Sequence, residues 1–200
     1  MTEHYFSNTP SSDSEEEHFT FQLRGHSFSF TSDQGVFSKK EIDFGSRVLI
    51  EAFQLTECDG PVLDMGCGYG PIGLSIAKDY PNRTVHMVDV NERALLLAEK
   101  NARANQISNV RIYKSACYEG IEAKGFAAIL TNPPIRAGKK VVHEILEGAY
   151  THLADGGELW VVIQKKQGAP SAIAKLESLF KEVEVVEKKK GYYIICAKKC

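Results

Sequence analysis

No stretch of this sequence is apolar for long enough to span a bilayer, and its start shows no basic-then-apolar leader. Its five cysteines (Cys58, Cys67, Cys117, Cys196 and Cys200) are odd in number and include no C-x-x-C pair. That argues against a zinc site or a disulfide framework and suits a reducing compartment. The six histidines, His4, His18, His26, His86, His143 and His152, show no metal-ligand spacing. An excess of charge is missing too: the net value of −2 gives no global pull toward polyanions, so any such contact needs a local basic patch. These absences lead us to expect a cytoplasmic protein with neither metal nor membrane anchor.

What is present is ordinary globular material, 43% hydrophobic and 25% charged, in a chain of 200 residues that fits one domain. Met1 to His18 is polar and acidic and reads as a flexible arm, leaving 19–200 as the domain. Phe19, Phe21 and Leu23, then Phe28 and Phe30, alternate with polar residues around Arg24-Gly25-His26, which predicts a β-hairpin. With the loop that follows, the hairpin fills 19–40. Ile42, Val48, Leu49, Ala52 and Phe53 predict a helix over 41–55. Beyond residue 61, short apolar runs alternate with amphipathic stretches. Strands are expected at 61–65, 84–90, 110–116, 126–131 and 158–164, and helices at 70–80, 91–106, 139–153 and 170–180. The helix from residue 139 should stop near Gly156-Gly157, and the tail should fold as two strands around a Lys-Gly turn. The pattern predicts an α/β, doubly wound, mostly parallel sheet of seven strands over 41–200, with an antiparallel closing pair.

"VLDMGCGYGPIG" sets Gly66, Gly68, Gly70 and Gly73 between a strand and a helix. Such glycines let a chain turn sharply and approach a ligand closely, beside the free N–H groups of a helix start. Asp89, with Val90 after it, ends the next strand about where an acid accepts bonds from a ribose diol. Its alternative task, capping the next helix, already suits Asn91. NAD and S-adenosylmethionine both fit this much. Asp64, two residues before the first glycine, stands where dinucleotide folds carry an apolar residue.

The fourth core strand opens into "TNPPIRAGKK". Together, "LDMGCGYGPIG" and "NPPI" resemble the class I S-adenosylmethionine-dependent methyltransferases that act on planar nitrogens. With "GVFS" at 35–38 and "WVVIQKKQGA", the sequence is similar to the small-methyltransferase family, over about 19–200. Some members act on the N2 amino group of a guanine in 16S ribosomal RNA. The resemblance implies a sheet order of 3-2-1-4-5-7-6 and S-adenosylmethionine as cofactor, held by Asp64, Gly66, Cys67, Gly68, Gly70, Asp89, Val90, Ala116 and Asn132. It implies that Asn132 and Pro133 accept the hydrogens of the target amino group. Such a nitrogen is a poor nucleophile because its lone pair is delocalised, and two acceptors draw it toward tetrahedral geometry. Pro133 and Pro134 keep the turn rigid and offer no competing N–H. Phe37, Ser38, Ile135, Arg136 and Lys139 would meet the substrate, ribosomal RNA or the small ribosomal subunit, with the protein acting as a monomer.

Three departures accompany the resemblance. Ile135 stands where the wider family prefers an aromatic, and Phe37 offers a ring in its place. Where many such enzymes carry a methyltransferase-like domain before the catalytic one, this sequence reads as a short arm and hairpin, and "KSACYEG" lacks the acid often found near adenine. Lysine pairs at 39–40, 139–140 and 165–166 follow segments expected near the cleft, as a phosphate-binding rim or as plain surface. The rival readings are adenine N6 or protein glutamine N5 methylation, a nicotinamide-dependent oxidoreductase, and a non-catalytic RNA-binding module.

Overall fold

The computed structural model describes residues 13–33, 36 and 41–200. The hairpin forms as β1 (Glu17–Leu23) and β2 (His26–Ser32), paired antiparallel from Glu17↔Ser32 to Leu23↔His26. Its alternation works as expected: Leu23, Phe28 and Phe30 are buried, and Phe19 and Phe21 pack partly against the same core. The strand starts two residues before Phe19, and the stretch just ahead of it is fastened. Ser14 Oγ and the Glu15 N–H both donate to the Asp33 carboxylate at 2.7 Å. Within residues 13–18, the expected loose arm is therefore tied down by one buried acid.

Helix α1 (Phe44–Ala52) is shorter than the 41–55 expected. Asp43 stops it at the front by accepting the Ser46 N–H, and Phe53 leaves it with extended backbone. The alternating part follows as β3 (Val62–Met65), α2 (Pro71–Asp79), β4 (Val85–Asp89), α3 (Glu92–Ala104), β5 (Val110–Lys114) and β6 (Phe126–Thr131). It continues with α4 (Lys139–His152), β7 (Leu153–Gln164), α5 (Ala169–Leu179), β8 (Glu182–Lys189) and β9 (Tyr192–Lys198).

The boundary between α4 and β7 also differs from expectation. Gly156-Gly157 does not stop α4, because the chain turns extended at Leu153 and β7 starts there, five residues early. The glycines sit in an irregular stretch where pairing jumps from Phe126↔Leu153 to Ala128↔Glu158. A Cβ on Gly157 would lie 2.6 Å from the Phe126 carbonyl oxygen, so the glycine lets two strands approach closely.

The sheet order is β5-β4-β3-β6-β7-β9-β8, which is the 3-2-1-4-5-7-6 order expected. The first five strands are parallel, and β9 runs antiparallel to both of its neighbours. Successive strand residues feed opposite faces. Val62, Met87, Leu130, Trp160 and Ile194 pack with α1, α2 and α3, while Leu63, Val88, Ile129, Val161 and Ile195 pack with α4 and α5. That two-sided burial is why the strands read as apolar runs. Arg24, at the hairpin turn, clamps the layers. It donates to Asp79 and to the carbonyls of Ile50 and Phe53, each at 2.7 Å.

Candidate active site

Strand order reverses between β3 and β6, and in open α/β sheets such a switch point leaves a crevice at the carboxyl ends of the strands. Here the crevice is a cleft of about 320 Å³, within the ordinary range for a small-molecule site. Thr131 Oγ1 donates to the Met65 carbonyl at 2.9 Å, so the ends of β3 and β6 are pinned together beneath it.

The glycine loop forms one wall. The N–H groups of Gly66 and Cys67 both donate to the Val88 carbonyl, at 2.9 and 2.8 Å, which locks the loop to β4. Gly66 and Gly68 have φ of +78° and +56°, and a Cβ on either would meet nothing within 4 Å among the described residues. These two glycines leave backbone bare toward open space. Gly73 works the other way: its Cβ would press to 2.7 Å from Met87 and 2.9 Å from an Asp64 oxygen. It is needed for packing α2 onto the sheet.

Asp89 accepts from the Gly68 N–H through Oδ2 and from the Asn91 N–H through Oδ1, both at 2.9 Å. Burial raises its pKa, and the backbone N–H groups oppose that rise. Asn91 caps α3 by accepting the Ala94 N–H at 3.1 Å, so the cap and the cleft-facing acid are different residues. Behind the loop, Asn101 of α3 donates to the carbonyls of Tyr69 and Thr31 and accepts the Thr31 N–H. One buried amide thus joins helix, loop and hairpin. The Tyr69 ring meets Phe19 and Phe30 edge-on, while its buried hydroxyl has no partner among the described residues.

The opposite wall is Asn132 to Arg136. Asn132 Nδ2 donates to Asp43 Oδ2 and to Ser46 Oγ, each at 2.9 Å. Past the prolines the chain makes a single 3₁₀ turn, Ile135–Ala137, closed by the Ala137 N–H bonding to the Pro134 carbonyl. Gly138 at φ +101° then starts α4. Tyr192, the first residue of β9, pairs with Gln164, the last of β7, and both line the cleft with Gln167.

Of the residues expected at the site, Gly66, Cys67, Gly68, Asp89, Asn132, Pro133, Pro134, Ile135 and Arg136 line this cleft together. Asp64, Gly70, Val90, Ala116 and Lys139 are not among its lining residues, and Phe37 and Ser38 lie outside the described residues. Asp64 lies beneath the loop instead. One of its oxygens accepts the Gly73 N–H at 2.8 Å, the other is buried without a partner among the described residues, and burial pushes its pKa up to about 7. Burial also drives the Cys67 thiol well above its usual range, which disfavours the thiolate that a nucleophile needs. Sequence reasoning missed Asp43, Ser46, Gln164, Gln167 and Tyr192 as cleft residues. Asp43-x-x-Ser46 carried a helix-cap signal, and Gln164 and Gln167 lie within the "WVVIQKKQGA" stretch already singled out. Among the described residues no group of three or more His, Cys, Asp or Glu side chains could hold a metal, and no helix is long and apolar enough to cross a membrane.

A seven-stranded sheet in this order, with a bare glycine loop and a buried acid ending the neighbouring strand, defines a class I S-adenosylmethionine-dependent methyltransferase. The chain belongs to the methyltransferase small domain family, whose model matches residues 27–196. It is 62% identical over its whole length to YbxB of Bacillus subtilis, an uncharacterized protein. It is 33% identical to ribosomal RNA small subunit methyltransferase C of Vibrio parahaemolyticus, a match covering 96% of this chain and 56% of that one. Among solved structures, the T. thermophilus 16S rRNA N2 methyltransferase in complex with AdoMet and guanosine superposes with a TM-score of 0.82 at 25% identity. That match covers 92% of this chain and 51% of the other. The chain therefore spans YbxB fully but only about half the length of the methyltransferase C relatives it matches. The nicotinamide-dependent alternative is set aside by this membership.

Proposed function

We propose that this protein methylates an exocyclic amino nitrogen of an RNA base, with guanine N2 in 16S ribosomal RNA as the target. The observation that carries the reading is the Asn132-Pro133 turn sharing one cleft with the glycine loop. The similarity to small-subunit methyltransferases, one of them solved with AdoMet and guanosine, supports it.

S-adenosylmethionine supplies an electrophilic methyl on a sulfonium. The bared backbone of Gly66 and Gly68 offers it a close seat, and Asp89, held by backbone N–H groups, would turn its remaining carboxylate lone pairs to a ribose diol. Asn132 and the Pro133 carbonyl accept the amino hydrogens and aim the nitrogen lone pair across the cleft. The gain comes from alignment and preset dipoles, with no strong base required. Ile135 is aliphatic, so the ring of Tyr192 supplies the aromatic face for the base. Arg136 stands in the same wall, where a cation can meet RNA phosphate. A paired guanine must first be flipped out, at about a few kcal/mol. The protein would act as a cytoplasmic monomer.

Transfer of labelled methyl to naked 16S rRNA, small subunits, tRNA and a release factor, followed by nucleoside and amino-acid analysis, tests the reading. We expect N2-methylguanine in 16S rRNA. N6-methyladenine or methylglutamine would replace it with one of the rival substrates. Absence of transfer to all four, together with RNA binding that Asn132→Ala leaves intact, would establish a non-catalytic binding module.

A further inference from the structure

We infer that Asp43 and Ser46, at the start of α1, are positioning residues that fix which end of the Asn132 amide faces the substrate. The inference rests on the reading above that Asn132 grips an amino group. A primary amide presents a donor at one end and an acceptor at the other, and only the acceptor end can take an amino hydrogen. An asparagine free to turn by half a rotation would show the wrong end part of the time.

In this cleft the choice is removed. Asn132 Nδ2 carries two hydrogens, and two acceptors stand at 2.9 Å from it, Asp43 Oδ2 and Ser46 Oγ. An ionised carboxylate can only accept, so the atom facing Asp43 must be the nitrogen. With the nitrogen held, Oδ1 is the end left for a ligand. The same Asp43 oxygen also accepts the Ser46 N–H at 3.0 Å, so one atom caps α1 and orients the amide. The residues lie 89 and 86 positions from Asn132 in sequence, yet all three line the cleft. The device therefore ties the specificity of the β6 turn to the docking of α1, and it selects for substrates that present N–H hydrogens.

Asp43→Ala should lower kcat on the RNA substrate by on the order of 10²-fold, the scale of a misaligned reacting group. S-adenosylmethionine affinity, read by calorimetry, should stay unchanged. Asp43→Asn keeps both an oxygen acceptor and a helix cap, so it should restore most of the loss. Ser46→Ala, which leaves the cap in place, should cost about tenfold, the scale of one hydrogen bond. The loss from Asp43→Ala should vanish in an Asn132→Ala background, because the residue it positions is gone. An equal loss in both backgrounds, or no loss in the first, would overturn the inference.

A readout without turnover separates this from failure of the proposed function. In ¹⁵N–¹H spectra, the Asn132 side-chain amide, assigned by its loss in Asn132→Ala, should be protected from water exchange in the wild type and exposed in both alanine variants. An exposed wild-type amide sinks the inference even if the enzyme methylates RNA. A protected amide without methyl transfer to any RNA sinks the functional reading and leaves the orientation standing.

Discussion

At the scale of single residues, two polar side chains with opposite fates stand on neighbouring strands. Asn132 faces the cleft from the end of β6, and Asn132→Ala should reduce kcat by at least ~10²-fold in the methyl-transfer assay, as for loss of an oriented polar group. Asp64 lies at the base of the loop with one carboxylate oxygen unpartnered among the described residues and a pKa of about 7, raised from 3.8 mainly by burial. The folded state then holds a proton that the unfolded chain releases. The stability this confers is full below the ordinary value of 3.8 and is lost as pH rises to about 7. Across that window the slope is about 1.4 kcal/mol per pH unit. Asp64→Asn should remove this component, seen as a flatter pH dependence in urea unfolding between pH 4 and 8. The place of Asn132 in the cleft was legible because it directly follows an apolar core strand, whose carboxyl end borders the crevice. The placement of Asp64 was not, because a motif position says nothing about whether a carboxylate faces the ligand or the packing beneath.

At the scale of elements, the core strands and helices announced themselves through alternation, and their ends did not. The passage from α4 to β7 was misjudged because Gly156-Gly157 looks like a helix stop. In the structure those glycines serve a close strand approach, a tertiary demand with no local signature. The reach of Arg24 was equally hidden, since its partners lie 26 to 56 residues away. Its side chain is 9% exposed and bonds the end of α1 and Asp79 together. Arg24→Ala should destabilise the fold by about 2–4 kcal/mol in urea unfolding, because buried carbonyls and a carboxylate lose a charged donor. Gly45 shows a tighter constraint: a Cβ there would lie 2.6 Å from the Tyr192 ring. Alanine at this position should improve helix propensity yet push the ring aside. We expect a raised KM for RNA with unchanged S-adenosylmethionine affinity, measured by steady-state kinetics and calorimetry.

For the whole molecule, a net charge of −2 conceals an uneven distribution. Lys165 and Lys166 are exposed between the cleft residues Gln164 and Gln167, and the Lys165 N–H bonds to Gly191 at the β8–β9 turn. Lys188, Lys189 and Lys190 lead into that turn and are also exposed. Of the lysine runs that the sequence left between rim and surface, Lys165-Lys166 thus stands beside the cleft residues and next to the turn that follows Lys188 to Lys190, while 39–40 lies outside the described residues. Reversing Lys165 and Lys166 to Glu should weaken RNA binding and flatten its dependence on salt, each lost phosphate contact lowering the log–log slope by about one unit. Turnover at saturating RNA should change little. A filter-binding series between 50 and 200 mM salt would read this.

The antiparallel β9 has a consequence for how such a molecule can change over time. Because it runs against its neighbours, its first residue, Tyr192, arrives at the edge of the sheet where parallel strands end. Under the proposed function, the loops of β3 and β4 at that edge would serve the methyl donor, while β6, β7 and the β8–β9 turn would face whatever is to be modified. Two trades are kept on separate counters of one bench. A hairpin turn grafted from a relative with another target could redirect the enzyme while leaving its hold on the donor as it was.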